Sequence, residues 1–303
     1  MPLNWDHLEE VESERVYTRD SHVTSYVGSR YKDFKAREIA FYKGTNFRTT
    51  KTRRFLSAEI EVNSIKDFTQ TDEACHKWSA SVVSDGSLGC DGFEINTSPA
   101  SGNKFIEQIT NITDSLVNNR SRISKKCGLH VHIDARDFDF DDIIRLIHLY
   151  AKLEDGLFKV VSPSRRCNTF CTRCGEALLR DVNYYSHLTD FEEVFARAIY
   201  KGDKKYIEEN KKWKDGGNRY RALNLHSWVH RGSIECRLHQ GTTSKIKIIN
   251  WATLWGVILD FAKENSIDQI YQLPDDSLEA LLEVAQHTRL QSWLNQRNRN
   301  LNY

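Results

Sequence analysis

The sequence predicts an α+β fold: a largely antiparallel sheet with helices packed on one face and a polar face left for a ligand. Three observations predict it. Residues 58–62, 92–96, 128–134 and 233–238 each alternate apolar and polar side chains, whereas strands of a parallel sheet covered on both sides read as continuous apolar runs. Segments with an apolar stripe at helical spacing lie between these strands. No repeat, low-complexity tract or Pro/Gly-rich linker divides the 303 residues, which suits elements layered around a shared core.

The elements follow in order. Residues 1–50 are polar, with weak periodicity, and read as an N-terminal extension with an alternating stretch at 22–27. Strands are expected at 55–62, 79–83 and 94–97, with a turn at 84–87. Phe105, Ile106, Ile109, Ile112 and Leu116 mark a helix over 103–122, and residues 129–134 form the next strand. Ile143, Ile144, Ile147, Tyr150 and Leu153 mark a helix over 141–160, which Asp139 or Asp141 can cap. Residues 162–183 read as a loop. Short helices follow at 191–200 and 204–213. A hairpin pairs 222–227 with 233–239, and helix 245–263 is apolar almost all round and therefore buried. A last amphipathic helix covers 277–296 within a C-terminal helical extension, 266–303, packed on the same domain.

Composition excludes several function classes. The 43 basic and 42 acidic residues leave a formal charge of +1, so no nucleic-acid or membrane partner follows from charge. The most apolar stretch, 246–262, is interrupted by Lys247, Asn250 and Asp260 and is too short and polar to span a bilayer. The first residues lack a basic run followed by an apolar one, so a cytoplasmic location is expected. Seven cysteines without a secretion signal point to reduced thiols. Cys167, Cys171 and Cys174 have a zinc-like spacing, but a closed structural site needs a fourth ligand. His187 is the nearest candidate; ordinary cysteines are the expectation.

The chemistry lies on the polar strand faces. In E-x-E (Glu59, Glu61), in the Phe93–Asn96 stretch with Glu94, in H-x-H (His130, His132) and in E-x-R (Glu235, Arg237), i and i+2 residues share a face. Carboxylates brought together repel, and a divalent cation removes that conflict. Glutamates with one or two imidazoles suit Mg²⁺ or Mn²⁺. Arg237, a poor ligand, suits a phosphate instead. A single E-x-E on a strand is most often a solvated outer face, and Arg219, Arg221 and the Asp85 turn read alone as surface charge and tight turn. There is no G-x4-G-K-[ST] loop, so a nucleotide would be held by metals and arginines.

Taken in order, Ala58-Glu59-Ile60-Glu61, Trp78 with Ser84-Asp85-Gly86-Ser87-Leu88, Gly92-Phe93-Glu94-Ile95-Asn96-Thr97-Ser98-Pro99, Cys127-Gly128-Leu129-His130-Val131-His132 and Ser233-Ile234-Glu235-Cys236-Arg237-Leu238 resemble the motif series of the amidoligase family. That family lies in the carboxylate–amine ligase superfamily with glutamine synthetase and gamma-glutamylcysteine synthetase. The resemblance covers about residues 54–260 and implies a glutamine-synthetase-like curved, antiparallel sheet with the active site on one face, in a catalytic domain over 51–265. It implies ATP, Mg²⁺ (or Mn²⁺), and carboxylate and amine substrates, such as an amino acid, a peptide or a protein-linked group, joined as an amide with release of ADP and phosphate.

By motif position, Glu59 and Glu61 ligate different metals, Glu94 joins Glu61, and His130 shares a metal with Glu59 and Glu235. His132 faces nucleotide or acyl substrate. Arg237 stabilises the transferring phosphoryl group, with Arg221 or Arg219 as second arginine. Asp85 and Ser87 contact a substrate, and Asn224 supports the site from the Arg221 strand. Residues 162–183 are the expected lid. Ala58 stands where the family often has glycine. Alternatives left open by the residues are an ATP-dependent phosphotransferase, a non-catalytic metal- or nucleotide-binding protein, and a metal oxygenase or hydrolase using the histidine pair. The oligomeric state is not set by the sequence.

Overall fold

The computed structural model describes residues 54–89, 92–213, 219–286 and 288–302. The alternating stretch at 22–27 and the N-terminal extension lie outside them. The chain forms two compact units. The first is built from the described residues of Met1–Asp134 with His239–Thr253, the second from Ala135–Leu238 and Leu254–Tyr303.

In the first unit β1 (Leu56–Val62) leads through α1 (Phe68–Lys77) to β2 (Ala80–Ser84), β3 (Phe93–Thr97), α2 (Gly102–Asn118) and β4 (Gly128–Asp134). The strand order is β2-β3-β1-β4 and the three pairings are antiparallel. β1 therefore sits between β3 and β4, so both neighbours present their polar residues to Glu59 and Glu61. The register places Glu59 opposite His130 on β4 and Glu61 opposite Glu94 on β3. Leu56, Ala58, Ile60 and Val62 occupy the other face with Leu129, Val131 and Ile133, all buried; each fully buried aliphatic side chain of this kind contributes about 1.5–3 kcal/mol. Helix α2 buries Phe105, Ile109, Ile112 and Leu116, the stripe read from the sequence.

The polar side of β1 and β4 departs from expectation. It is not open: every residue of both strands is buried. Alternation in the sequence separates two chemistries but does not reveal which side water reaches. Here carboxylates and imidazoles bond to one another and replace the solvent that an isolated acid would need. Helix α1, polar and without an apolar stripe, carried no helical signal; Asp67 caps it by accepting from Gln70 N at 3.0 Å.

In the second unit α3 (Phe140–Lys159) starts from a capping box between Asp139 and Asp142. Ile143, Ile144, Ile147, Tyr150 and Leu153 are buried as the periodicity predicts. Residues 162–183 are only partly loop: α4 (Pro163–Arg166) and α5 (Gly175–Tyr184) lie within or across them. Glu154 explains the second helix, since its Oε1 accepts from Cys174 N at 2.8 Å and Gly175 N at 3.0 Å. α6 (Phe191–Tyr200) matches its predicted bounds, and α7 (Lys205–Asn210) is shorter than expected.

The expected strand 222–227 shrinks to β5 (Leu223–Asn224), because Asn224 Oδ1 accepts from His226 N at 3.1 Å and the chain turns into α8 (His226–Arg231). Gly232, at φ +85°, ends that helix in a conformation costly to other residues and launches β6 (Ser233–Gln240), antiparallel to β5. α9 (Lys245–Glu264) has a buried centre, Trp251 and Trp255 included. α10 (Ile267–Tyr271) precedes α11 (Ser277–Ala285) and α12 (Thr288–Asn302). The predicted helix 277–296 breaks at Gln286, which takes a left-handed φ of 48°. Among the described residues no helix is long and apolar enough to cross a membrane.

Candidate metal and phosphate site

The first unit gathers five of the residues singled out in the sequence. His130 lies between the two acids of E-x-E. Its Nδ1 is 2.8 Å from Glu59 Oε2 and its Nε2 is 3.4 Å from Glu61 Oε1. His132 Nε2 lies 3.2 Å from Glu59 Oε1. Gly128 N donates to Glu61 Oε2 at 2.6 Å, so β4 holds both acids of β1. On β3, Asn96 donates to Glu94 Oε1 at 2.9 Å.

The turn after β2 adds Asp85. Its backbone N donates to Gly92 O at 2.9 Å, and a side chain at Gly92 would put a Cβ 2.8 Å from Asp85 O and 2.3 Å from Leu88 Cβ. Only glycine lets this turn close. Two donor triads result from residues of this unit alone, Glu59–Glu94–His130 and Glu61–Asp85–Glu94, each with ligand atoms within 4.8 Å of one another. Glu59 and Glu61 fall in different triads and Glu94 in both.

Charge is unevenly settled. Burial works to raise the Glu59 carboxyl, but hydrogen bonds and charge from His130 and His132 outweigh it and hold it well below the ordinary 4.5. Glu94 shifts the other way: burial, then the negative charges of Glu59, Glu61 and Asp85, push it well above 4.5 against the Asn96 bond. Glu61 and Glu94 also face each other across the β1–β3 ladder, where like charges destabilise. Carboxylate oxygens with one imidazole form a donor set that fits Mg²⁺ or Mn²⁺.

His132 departs from the sequence reading. It is fully buried, with Nε2 on Glu59, so in this structure it meets a carboxylate. Asp85, read as a substrate contact, sits in ligand range of Glu61 and Glu94, while its Oδ1 also accepts from Ser87 N at 2.9 Å. Ser87 itself is exposed.

The second unit gathers the E-x-R residues. Glu235 pairs with Arg237 through Nη1 and accepts from Asn224 Nδ2 at 2.6 Å. Arg237 is largely covered, and its Nε donates to Phe170 O at 3.4 Å. Arg221 is half-buried beside Leu178, Ile199, Asn224 and His226, and makes no side-chain hydrogen bond or ion pair among the described residues. Arg219 lies over the Tyr220 ring.

Two residues that bond a singled-out side chain or its strand were not themselves singled out. Asn96 bonds Glu94 and could have been found, since it shares the i, i+2 face within the quoted motif. Arg165, 2% exposed, donates to Arg237 O at 2.7 Å and Leu238 O at 3.2 Å and braces the β6 backbone. It sits in an arginine run with no pattern to mark it.

The cysteine cluster does not assemble a ligand set among the described residues. Cys171 and Cys174 are buried and Cys167 exposed. Burial, with the Glu154 charge beside it, pushes the Cys174 thiol up to about 12. His187 is exposed, with Nδ1 3.1 Å from Tyr184 O.

With this geometry in hand, the comparisons with known proteins give the class. Residues 12–258 match the family model described as "Putative amidoligase enzyme", and the chain belongs to that family. The match takes in residues 12–53, ahead of the first motif. No curated protein sequence matches the chain. A solved structure titled "Crystal structure of novel glutamine synthase homolog" is 10% identical, with a TM-score of 0.35. The alignment covers 82% of this chain and 66% of that one, just under two thirds of its length.

Proposed function

We propose that this protein is an ATP-dependent ligase that joins a carboxylate to an amine through an acyl phosphate, on a glutamine-synthetase-like catalytic domain over 51–265. The observation that carries the reading is the pair of overlapping triads sharing Glu94, set on the family's E-x-E and H-x-H strands. Glu59, Glu61, Glu94 and His130 are the metal-holding residues, with Asp85 as a further oxygen donor; Glu235 joins them by its motif position. A divalent cation there supplies positive charge to phosphoryl oxygens.

The reaction needs what these side chains offer. A carboxylate is a poor electrophile at neutral pH. Its oxygen attacks the γ-phosphorus, the bond to ADP breaks, and the acyl phosphate has a good leaving group. The amine nitrogen then attacks the acyl carbon, phosphate leaves, and a proton is lost from nitrogen to the medium or a nearby base. Arg237 meets charge developing on the transferring oxygens, with Arg221 or Arg219 as second guanidinium. Asn224 holds Glu235, and His132 holds Glu59. Segment 162–183, with its two helices, is the proposed cover that keeps water from the acyl phosphate.

The test is an ADP-release screen with panels of carboxylates and amines, with products read by mass spectrometry. The reading requires ADP that forms only when both an acid and an amine are present. A stable phosphorylated product without an amide would make the protein a phosphotransferase. Indifference to ATP, with tightly held iron or zinc, would move it to the oxygenase or hydrolase class.

A further inference from the structure

In the second unit two large rings remain in the open beside the E-x-R arginine. Phe170 is 50% exposed and Tyr220 40%. Their centroids are 5.5 Å apart and their planes meet at 76°. Scattered exposed aromatics are ordinary, but these two touch. A guanidinium also lies over one of them: the Arg219 carbon is 4.9 Å from the Tyr220 centroid, and its Nη2 donates to Tyr220 OH at 3.0 Å.

The backbone fixes this arrangement to Arg237. Thr172 N donates to Tyr220 O at 2.9 Å, and Ala222 N to Thr172 O at 2.8 Å. Arg237 N donates to Ala222 O at 2.9 Å, while its side-chain Nε reaches Phe170 O at 3.4 Å. Asn168 Oδ1 accepts from Phe170 N at 2.8 Å and shapes the turn that carries the ring. The rings are thus positioned by main-chain bonds that would form with any side chain there, and much of their surface is not used for packing. Flat apolar faces beside guanidinium groups match a ligand that is planar at one end and anionic at the other.

We propose that Phe170 and Tyr220 form a corner that serves as the platform for the heterocyclic base of a nucleoside triphosphate, the base lying flat on one ring with its edge against the other, with its phosphates read by Arg237. The proposal rests on the ATP reading above and names where the base lies. Stacking on an aromatic side chain strengthens base binding by roughly 5- to 100-fold.

The experiment compares Mg-ATP with Mg-tripolyphosphate, which has the phosphates and no base, by titration calorimetry on the full chain. Phe170→Leu and Tyr220→Leu keep apolar bulk and lose the aromatic face. At least one variant, that of the ring on which the base lies flat, should bind ATP roughly 5- to 100-fold more weakly, and both should bind tripolyphosphate as the wild type does. Unchanged ATP affinity in both variants overturns the platform, as does equal weakening for both ligands, which would mean that the loop and not the ring matters. Should the leucine variants fail to fold, Phe170→Trp and Tyr220→Phe keep a stacking face and must bind ATP within about twofold of wild type; a larger loss overturns the proposal. A wild-type chain that binds neither ligand defeats the ATP reading itself. One that binds both equally defeats only the platform.

Discussion

The acid–imidazole lattice of the first unit and the acid–guanidinium lattice of the second solve the same problem in different ways. On β6, Glu235 has its cation two residues away on the same strand and an amide from Asn224. On β1 and β3 the acids outnumber their partners: Glu59 is held down by two histidines, while Glu94 is driven up by its neighbours. Glu235 already has a cation on its own strand, whereas the acids of β1 and β3 stand to gain most from an external one. The difference teaches where to look for metal and where for phosphate.

Turnover and metal response should therefore come apart. Glu61→Ala and Arg237→Ala should each lower ATP turnover by about 10²- to 10³-fold, the range for removing one group that stabilises transition-state charge. Only Glu61→Ala should also lose the rise in melting temperature that Mn²⁺ gives the wild type. A Mn²⁺ response abolished equally by Arg237→Ala would erase the contrast between the units.

Next in size is the cost of breaking the lattice. Glu59→Ala removes a shared partner from two buried imidazoles at once and should destabilise the metal-free protein by about 2–3 kcal/mol in urea titrations. Glu59→Gln, which can still bond one ring, should recover part of this. Full stability in Glu59→Ala would mean that the histidines have other adequate partners and that Glu59 is not the hub.

The Glu94 prediction is smaller and turns on pH. A carboxyl raised in the folded state binds protons that the unfolded chain has released. Stability from this group is therefore full below 4.5 and falls as pH rises through the raised value. Glu59 has the opposite sign: its contribution is present above 4.5 and is lost as pH falls through its lowered value. In EDTA, Glu94→Gln should flatten the decline above 4.5 and add about 1 kcal/mol at neutral pH. Saturating Mg²⁺ should flatten it in the wild type. A decline of the same slope in Glu94→Gln would assign it to another group.

Much of this contrast was legible in residue order. E-x-E, H-x-H and E-x-R state which side chains share a strand face, and the stripes of α2 and α3 were plain. Three things were not. Closure of the polar face depends on what covers the strands, and alternation says nothing of that. The place of Asp85 with Glu61 and Glu94 depends on a turn closed at Gly92, a contact across the β2–β3 connection. The short β5 and the break at Gln286 come from local hydrogen bonding and backbone conformation that override the hydrophobic pattern.

The smallest expected effect tests the second unit. If Cys167, Cys171 and Cys174 held a structural zinc, the second unit would carry a metal centre of its own and the contrast would weaken. Two features of the cluster speak for ordinary thiols. Cys167 is exposed while its companions are buried. The Cys171 thiol donates to Arg165 O at 3.6 Å. Cys167→Ser should therefore change unfolding free energy by no more than about 0.5 kcal/mol, and elemental analysis of chain purified without chelator should find no stoichiometric zinc. One zinc per chain, lost in Cys167→Ser together with several kcal/mol of stability, would place a separate structural metal centre in the second unit.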